Sequence, residues 1–333
     1  MSIVGIPTLI EVLPEFGNFV FANSSEINAK NSEKRLRYFV KFVNDSDFLI
    51  TQLTASYVDQ YVVFMKVNKL RPKTQHNRVS ALKSFERFLM ERYPQFIKKS
   101  FASHVKIKLP KPKPGDKLPN KNHVEKVMNL IPKLLKGTAR DIRDATIFLM
   151  ILETGIRRSE CVFQEIEGLH LDQEPMDTQL GTIYKAVLTH AKSANTNPDA
   201  WVIDYNDKLK QVIEKWLSVR PHPLRDPGRV FVGVVGRPLG KPMTPDGINF
   251  VFKRLCKLAE LHEREITPHK LRHYFGQRVL DLTGNLELTR QRLRHADIKL
   301  TSTTYAHQDE RRRQSTVGIT TFLNTLKFQF DEE

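Results

Sequence analysis

Four short stretches carry the side chains best suited to chemistry. Thr154-Gly155-Ile156-Arg157-Arg158-Ser159-Glu160 follows the apolar run DATIFLMIL. A glycine at a helix end allows a sharp turn, which presents Arg157 at a fixed angle. His269-Lys270-Leu271-Arg272-His273 opens after Thr267-Pro268, an N-cap followed by a first-turn proline. A spacing of three puts His269 and Arg272 on one helix face, with Leu271 turned away. Leu293-Arg294-His295-Ala296 comes next, and Thr303-Thr304-Tyr305-Ala306-His307 places Tyr305 ten residues past His295. Guanidinium groups are permanent cations, imidazoles exchange protons near neutral pH, and a phenol can serve as a nucleophile. Taken singly, each pattern is weak. An arginine after a helix-ending glycine usually pairs with a carboxylate, a lone histidine usually caps a helix, and a buried tyrosine is usually core. His269, His273, His295 and His307 lack cysteine or carboxylate companions at ligand spacing, so a zinc enzyme fits poorly and no cofactor is implied.

The elements that must hold these residues are readable from periodicity. Helices are predicted at about 122–136, 140–152, 206–218, 245–261, 268–283 and 286–295. Strand-like runs at 182–189 and 200–203 flank the polar segment AKSANTNPD, which predicts a hairpin with a long tip. The result is a helix-rich α+β domain with a small antiparallel sheet, spanning 122–310. Upstream, an all-α unit is predicted over 31–103. Leu36, Phe39, Val40 and Val43 repeat at helical spacing, and so do Val58, Tyr61, Val62 and Met65 after Thr54, a candidate N-cap. A third helix follows Pro72 with Val79, Leu82, Phe85 and Leu89 inward. Arg71, Lys73, His76, Asn77 and Arg78 cluster at its start, where phosphate contact competes with a merely solvated face. Residues 1–30 show no sustained period and are left unassigned.

Between the two units lies HVKIKLPKPKPGDKLPNK, residues 104–121, with six lysines and four prolines from Lys106 to Lys121. Alternating proline and lysine can form neither a helix nor a central strand, and like charges keep the segment extended. It reads as a linker whose Lys106, Lys108, Lys111 and Lys113 lie along phosphates, against the plainer reading of a solvated tether. Residues 311–333 form a tail in which Ile319, Phe322, Leu323 and Leu326 make an apolar helical stripe beyond a charged stretch.

The ordered set of arginine, hairpin lysine, HxxR, second histidine and C-terminal tyrosine resembles the tyrosine recombinase family, the Xer-type enzymes and the integrases of phages and mobile elements. The family's wording, close to TGxRxSEL, HxLRH, LGH and a tyrosine about ten residues on, reads here TGIRRSEC, HKLRH, LRH and TTYAH. KTQHNRVSALKSFERFL resembles a helix of the family's core-binding, SAM-like domain, so the likeness covers roughly 31–310. It implies a site-specific DNA recombinase that cleaves and rejoins strands through a covalent 3′-phosphotyrosyl intermediate, with Tyr305 as nucleophile. Arg157 and Arg272 would ligand the phosphate, His269 would accept a proton, and His295 would hydrogen-bond the phosphate. Lys192 at the hairpin tip would protonate the leaving 5′-oxygen. Glu160 would orient Arg157; His273 matches the end of its motif, where packing or DNA contact fits as well as catalysis. A homotetramer on DNA, monomeric or dimeric when free, with the tail helix docked in a neighbour, is the implied assembly.

Three positions depart from the family. Arg294 stands where glycine usually precedes the second histidine, and Cys161 replaces leucine, as a buried thiol rather than a reactive one. AKSANTN lacks the usual glycines and second lysine, which keeps Lys185 behind Lys192 as a candidate. Composition agrees with a DNA partner. Lys plus Arg is 53 against 37 for Asp plus Glu, a net charge of +16, which favours a polyanion. Apolar runs stay short of a membrane span, the N-terminus lacks a basic secretory flank, and two cysteines make no disulfide framework. A cytoplasmic protein, nucleoid-associated in a bacterial or archaeal host, is expected. Two alternatives remain: a type IB topoisomerase, which would relax supercoils as a monomer without a defined site, and a non-catalytic DNA-binding protein on a recombinase fold. Cleavage in a single turnover separates the second from an active enzyme.

Overall fold

The computed structural model describes residues 5–110, 118–178, 181–188, 202–222, 228–236 and 239–295. The chain divides into two units, Met1–Pro112 and Lys113–Glu333. The first is all-helical: α1 (Leu13–Ala22), α2 (Glu26–Val43), α3 (Ala55–Val67) and α4 (Pro72–Arg92). Helix α1 lies in the stretch where the sequence suggested no element. Its inward residues Leu13, Phe16 and Val20 are too few to show a period, and Pro14 and Gly17 disguise it further. Pro14 is tolerated because a first-turn N–H has no helical partner to lose. Ser25 caps α2 and Thr54 caps α3, each accepting a backbone N–H three residues on. Of the expected inward sets, Val58, Tyr61, Val62, Met65, Val79, Leu82, Phe85 and Leu89 are all buried, with Leu36 and Phe39, while Val40 and Val43 are half-buried against the same core. Full burial of an aromatic such as Phe39 or Phe85 contributes about 1.5–3 kcal/mol.

The segment after α4 is anchored by a carboxylate. Buried Glu86 accepts from Ser100 Oγ at 3.0 Å, from the Phe101 amide at 2.6 Å, and from the Ala102 amide and Ser103 Oγ. Burial pushes its carboxyl up, but the donors of Ser103, Ala102, Phe101 and Ser100 outweigh that and hold it below its usual range. Beyond this anchor the chain runs extended. Val105 is buried and Ile107 packs on the helical core, while Lys106 and Lys108 point to solvent. The first part of the expected linker is thus docked on its own unit by strand-like alternation.

The second unit contains α5 (Lys121–Met128), α6 (Ile131–Leu135), α7 (Ala139–Thr154), α8 (Arg158–Phe163), β1 (Met176–Thr178), β2 (Gly181–Val187), β3 (Val202–Asn206), α9 (Asp207–Val219), α10 (Pro245–Leu258), α11 (Pro268–Thr283) and α12 (Leu286–Arg292). Helix α7 is the axis. It is buried along most of its length and packs against α6, α8, α9, α10 and α11. The three strands form an antiparallel sheet in the order β1-β2-β3, with Lys185 opposite Asp204 and Ala186 opposite Ile203. One face of that sheet buries Ala186, Ile203 and Tyr205, and the Tyr205 hydroxyl donates to the Leu169 carbonyl at 2.8 Å. Trp216 of α9 is buried, and its indole N–H donates to the Val230 carbonyl.

Three boundaries correct the sequence reading. The single helix expected at 122–136 is two, because Pro132 lacks an N–H and its ring excludes the carbonyl four residues back. The helix expected at 286–295 stops at Arg292, since Arg294 turns left-handed at φ 53°. Strand β3 continues to Asn206, three residues past the expected end at 203, while residues 200 and 201 lie outside the described residues; β1 and α8 were not foreseen at all.

Candidate active site

The site begins where α7 ends. Gly155 adopts φ 60°, and a Cβ there would collide with the Phe275 ring of α11, so the turn and the close packing both require glycine. Two residues later the chain re-enters a helix with Arg157 at the N-cap of α8. Glu160 reaches back to it: Oε2 accepts the Arg157 amide at 2.8 Å and Oε1 accepts Arg157 Nη1 at 2.5 Å. Arg158 points to solvent, 3.9 Å from Asp246, so the turn singles out the first arginine of the pair. The Arg157 Nη2 donates to the main-chain carbonyl of Arg294 at 2.9 Å, across 137 positions of sequence.

Arg272 reaches the same place from α11. It is buried, and its two terminal nitrogens donate to the Gly155 and Leu293 carbonyls. The planar fork of an arginine can grip two acceptors at once, which a lysine cannot do. Arg294 is also buried and donates through Nη2 to Glu160 Oε2 at 3.0 Å, with longer contacts of 3.5 Å to the Thr154 and Gly155 carbonyls. A side chain in the left-handed region costs roughly 1–2 kcal/mol, which accounts for the glycine usual there. Burial pushes the Glu160 carboxyl up, but Arg294, Arg157 and Arg272 prevail and bring it down to about 2, so it is ionised at neutral pH. Three guanidinium cations thus surround one carboxylate, an arrangement suited to an anion.

His295 ends this segment. Its amide donates to the Arg290 carbonyl at 3.0 Å, and its carbonyl accepts Arg290 Nη1 at 2.6 Å. Burial, then Arg272, Arg157, Arg294 and Arg290, push its imidazole down to about 3. It is therefore neutral at pH 7 and can donate one ring N–H. His269, one turn before His273 on α11, is exposed, and the two Nε2 atoms lie 2.9 Å apart. A ring N–H of one can donate to the other, in a direction set by the tautomers. When His269 supplies it, its Nδ1 is the acceptor form of the ring. Cys161 is fully buried, and burial together with the Glu160 charge pushes its thiol up, away from reactivity.

Arg157, Glu160, Arg272 and His295 are thus drawn together, and His269 and His273 stand on the same helix as Arg272. Tyr305 and Lys192 lie outside the described residues, as does the tail from 296 on. Lys185 is exposed on β2. In the first unit Arg71 and Lys73 are exposed, with His76, Asn77 and Arg78 half-buried beside them. The Arg78 guanidinium sits 3.9 Å over the Tyr38 ring, and Nη1 is 3.5 Å from the Tyr61 hydroxyl. Lys106 and Lys108 are exposed; Lys111 and Lys113 lie outside the described residues. Among the described residues no cluster of His, Cys, Asp or Glu could hold a metal, and no helix is long and apolar enough to cross a membrane. Arg294 was read from sequence only as a departure. Its place in the network was signalled by a bulky cation at a glycine position.

Comparison with known proteins bears on the family and the fold. The phage integrase family profile matches residues 120–312, and a phage integrase SAM-like domain matches residues 9–113. The latter match takes in α1, so the helical unit starts well before residue 31. The tyrosine recombinase XerC of Lactobacillus delbrueckii is 28% identical over 243 residues, 72% of this chain and 73% of that one. The tyrosine recombinase XerD of Listeria monocytogenes is 25% identical over 301 residues, 89% of this chain and 94% of that one. The fold matches a Tn1549 transposon integrase in complex with transposon right-end DNA, with a TM-score of 0.63 and 19% identity over 90% of this chain and 96% of that one.

Proposed function

This chain belongs to the phage integrase family, whose members are tyrosine-type site-specific DNA recombinases, and from that membership we propose how its own residues divide the reaction. Arg157, Arg272 and His295 bind the scissile phosphate, Tyr305 attacks it, and His269 and Lys192 move the protons. The observation that supports this most is that Arg157 and Arg272 both donate to main-chain carbonyls of the 293–295 segment, those of Arg294 and Leu293, while Arg157 and Arg294 share Glu160.

The Tyr305 oxygen forms a bond to phosphorus as the bond from phosphorus to the 5′-oxygen breaks. The phenolic proton passes to His269, and the leaving 5′-oxygen takes a proton from Lys192. A phenol with an ordinary pKa near 10 needs cationic surroundings to react, and the guanidinium cluster supplies them. The same cations neutralise the charge that builds on the non-bridging oxygens, work that divalent metals do in other phosphoryl-transfer enzymes. Neutral His295 adds a hydrogen-bond donor without competing for the proton. The 3′-phosphotyrosyl ester retains the bond energy, so a 5′-hydroxyl from another strand can reverse the step.

The partner is double-stranded DNA. Arg71, Lys73, His76, Asn77, Arg78, Lys106, Lys108, Lys111 and Lys113 contact its phosphates, and strand exchange proceeds in a homotetramer, in the cytoplasm at the nucleoid of a bacterial or archaeal host. Deleting residues 316–333 should leave duplex binding by the monomer intact and abolish the tetramer; a tetramer that persists would remove the tail from the assembly. The chemical assignment is tested with a nicked duplex carrying the cognate site. The full chain should form a covalent adduct that disappears in Tyr305→Phe, and an adduct that survives that change sinks the assignment.

A further inference from the structure

The arginine that replaces the usual glycine before His295 is placed too deliberately to be filler. Arg294 is 2% exposed, holds a left-handed backbone at φ 53°, and leaves its Nε without a hydrogen-bond partner. An apolar side chain could occupy the same space without the cost of desolvating a cation. What the cation adds is a second hold on Glu160. Oε2 of that carboxylate accepts Arg294 Nη2 and the Arg157 amide, and Oε1 accepts Arg157 Nη1. The Arg294 main chain grips Arg157 as well, since its carbonyl accepts Arg157 Nη2 at 2.9 Å. Arg157 is therefore held twice by one residue, directly by a carbonyl and indirectly through a carboxylate.

We propose that Arg294 is a positioning residue, whose buried guanidinium pins Glu160 so that Glu160 fixes Arg157 in the orientation that meets the scissile phosphate. This rests on the assignment of Arg157 as a phosphate ligand. The charged and titratable groups around Glu160 are Arg157 on its own helix, Arg294 from the turn after α12, Arg272 from α11 and the neighbouring Cys161 thiol. Of the cations, Arg294 contributes most to keeping the buried carboxylate ionised. Without it, burial has the larger say and Glu160 takes up a proton at higher pH.

The test compares wild type, Arg294→Met, Arg294→Lys and Arg294→Gly in full-length protein. The glycine variant suits the left-handed backbone and guards against simple misfolding. Two readouts are needed: the single-turnover cleavage rate across pH, and the Glu160 carboxyl titration followed by carbon-13 NMR and assigned with Glu160→Gln. Arg294→Met and Arg294→Gly should bind duplex as wild type does, cleave about tenfold or more slowly, and acquire an acid limb between about pH 5 and 7 that wild type lacks. Arg294→Lys should restore the flat profile with part of the rate. A Glu160 titration unchanged in Arg294→Met, or cleavage by Arg294→Gly equal to wild type at every pH, overturns the role of Arg294. Absence of any adduct in wild type, with the Glu160 titration still displaced in Arg294→Met, would instead overturn the assignment of the DNA chemistry and leave the hold on Glu160 standing.

Discussion

Replacing Glu160 with glutamine keeps the side chain's size and removes the charge that Arg157 and Arg294 share. Both arginines would then be held against a neutral amide, one of them fully buried. Removing one partner of a buried ion pair costs about 3–5 kcal/mol, because the remaining charge stays desolvated. Linkage gives a second route to the magnitude. The Glu160 carboxyl stands at about 2 in the folded chain against an ordinary 4.5, a difference equivalent to about 3 kcal/mol at 1.36 kcal/mol per pKa unit. Because the folded value is the lower one, this stabilisation is complete above the unfolded value and disappears as pH falls through the folded one. The gap between wild type and Glu160→Gln should therefore be full at pH 7 and shrink below about pH 4.5. Urea titration followed by tryptophan fluorescence is the assay. Trp201 and Trp216 both belong to the second unit, so the signal reports on the unit that holds the site. A gap under about 1 kcal/mol at pH 7, or one that widens on acidification, would refute the view of Glu160 as the ionised centre of the network.

Other consequences are as direct. Gly155→Ala should destabilise the second unit by about 2 kcal/mol or more, since it strains a positive φ and drives a methyl into Phe275; an unchanged urea midpoint would show that the turn can relax. Arg272→Lys keeps a charge but cannot serve the Gly155 and Leu293 carbonyls together, so cleavage should slow by about 10²- to 10³-fold. Chelator should leave wild-type cleavage intact, and loss of cleavage with DNA binding retained would contradict catalysis by arginine. Glu86→Gln should cost about 1–3 kcal/mol and release the Phe101 and Ala102 amides to hydrogen exchange. The wild-type carboxyl is held below its usual range, so the same release should appear in wild type only once acidification passes below that range.

Much of this was legible in the chain because the signals were local. Thr267-Pro268 fixed the start of α11, and the spacing of His269 and Arg272 placed both on it without any tertiary information. Gly155 was readable as a helix end for the same reason. Elements were missed where the deciding contact is distant. Helix α1 depends on packing of Phe16 against Phe85 and Phe88, far along the chain, and β1 is only three residues paired to β2. The linker's first part docks because Val105 and Ile107 meet a core that periodicity alone does not locate. Arg294 was hardest to read. Its type was visible, but its value lies in a carboxylate 134 positions away. Helix α12 ends early to place it there, a boundary that propensity cannot supply.

The central claim is that the guanidinium cluster serves a phosphate attacked by one tyrosine. The most direct measurement is peptide mapping, by mass spectrometry, of the covalent adduct formed on a nicked duplex bearing the cognate site, with the polarity of the cleaved strand determined on the same sample. The account predicts a nucleotide attached to Tyr305 through a 3′-phosphate, with a free 5′-hydroxyl on the departing strand. An adduct on another residue, or a 5′-phosphate linkage, would contradict it.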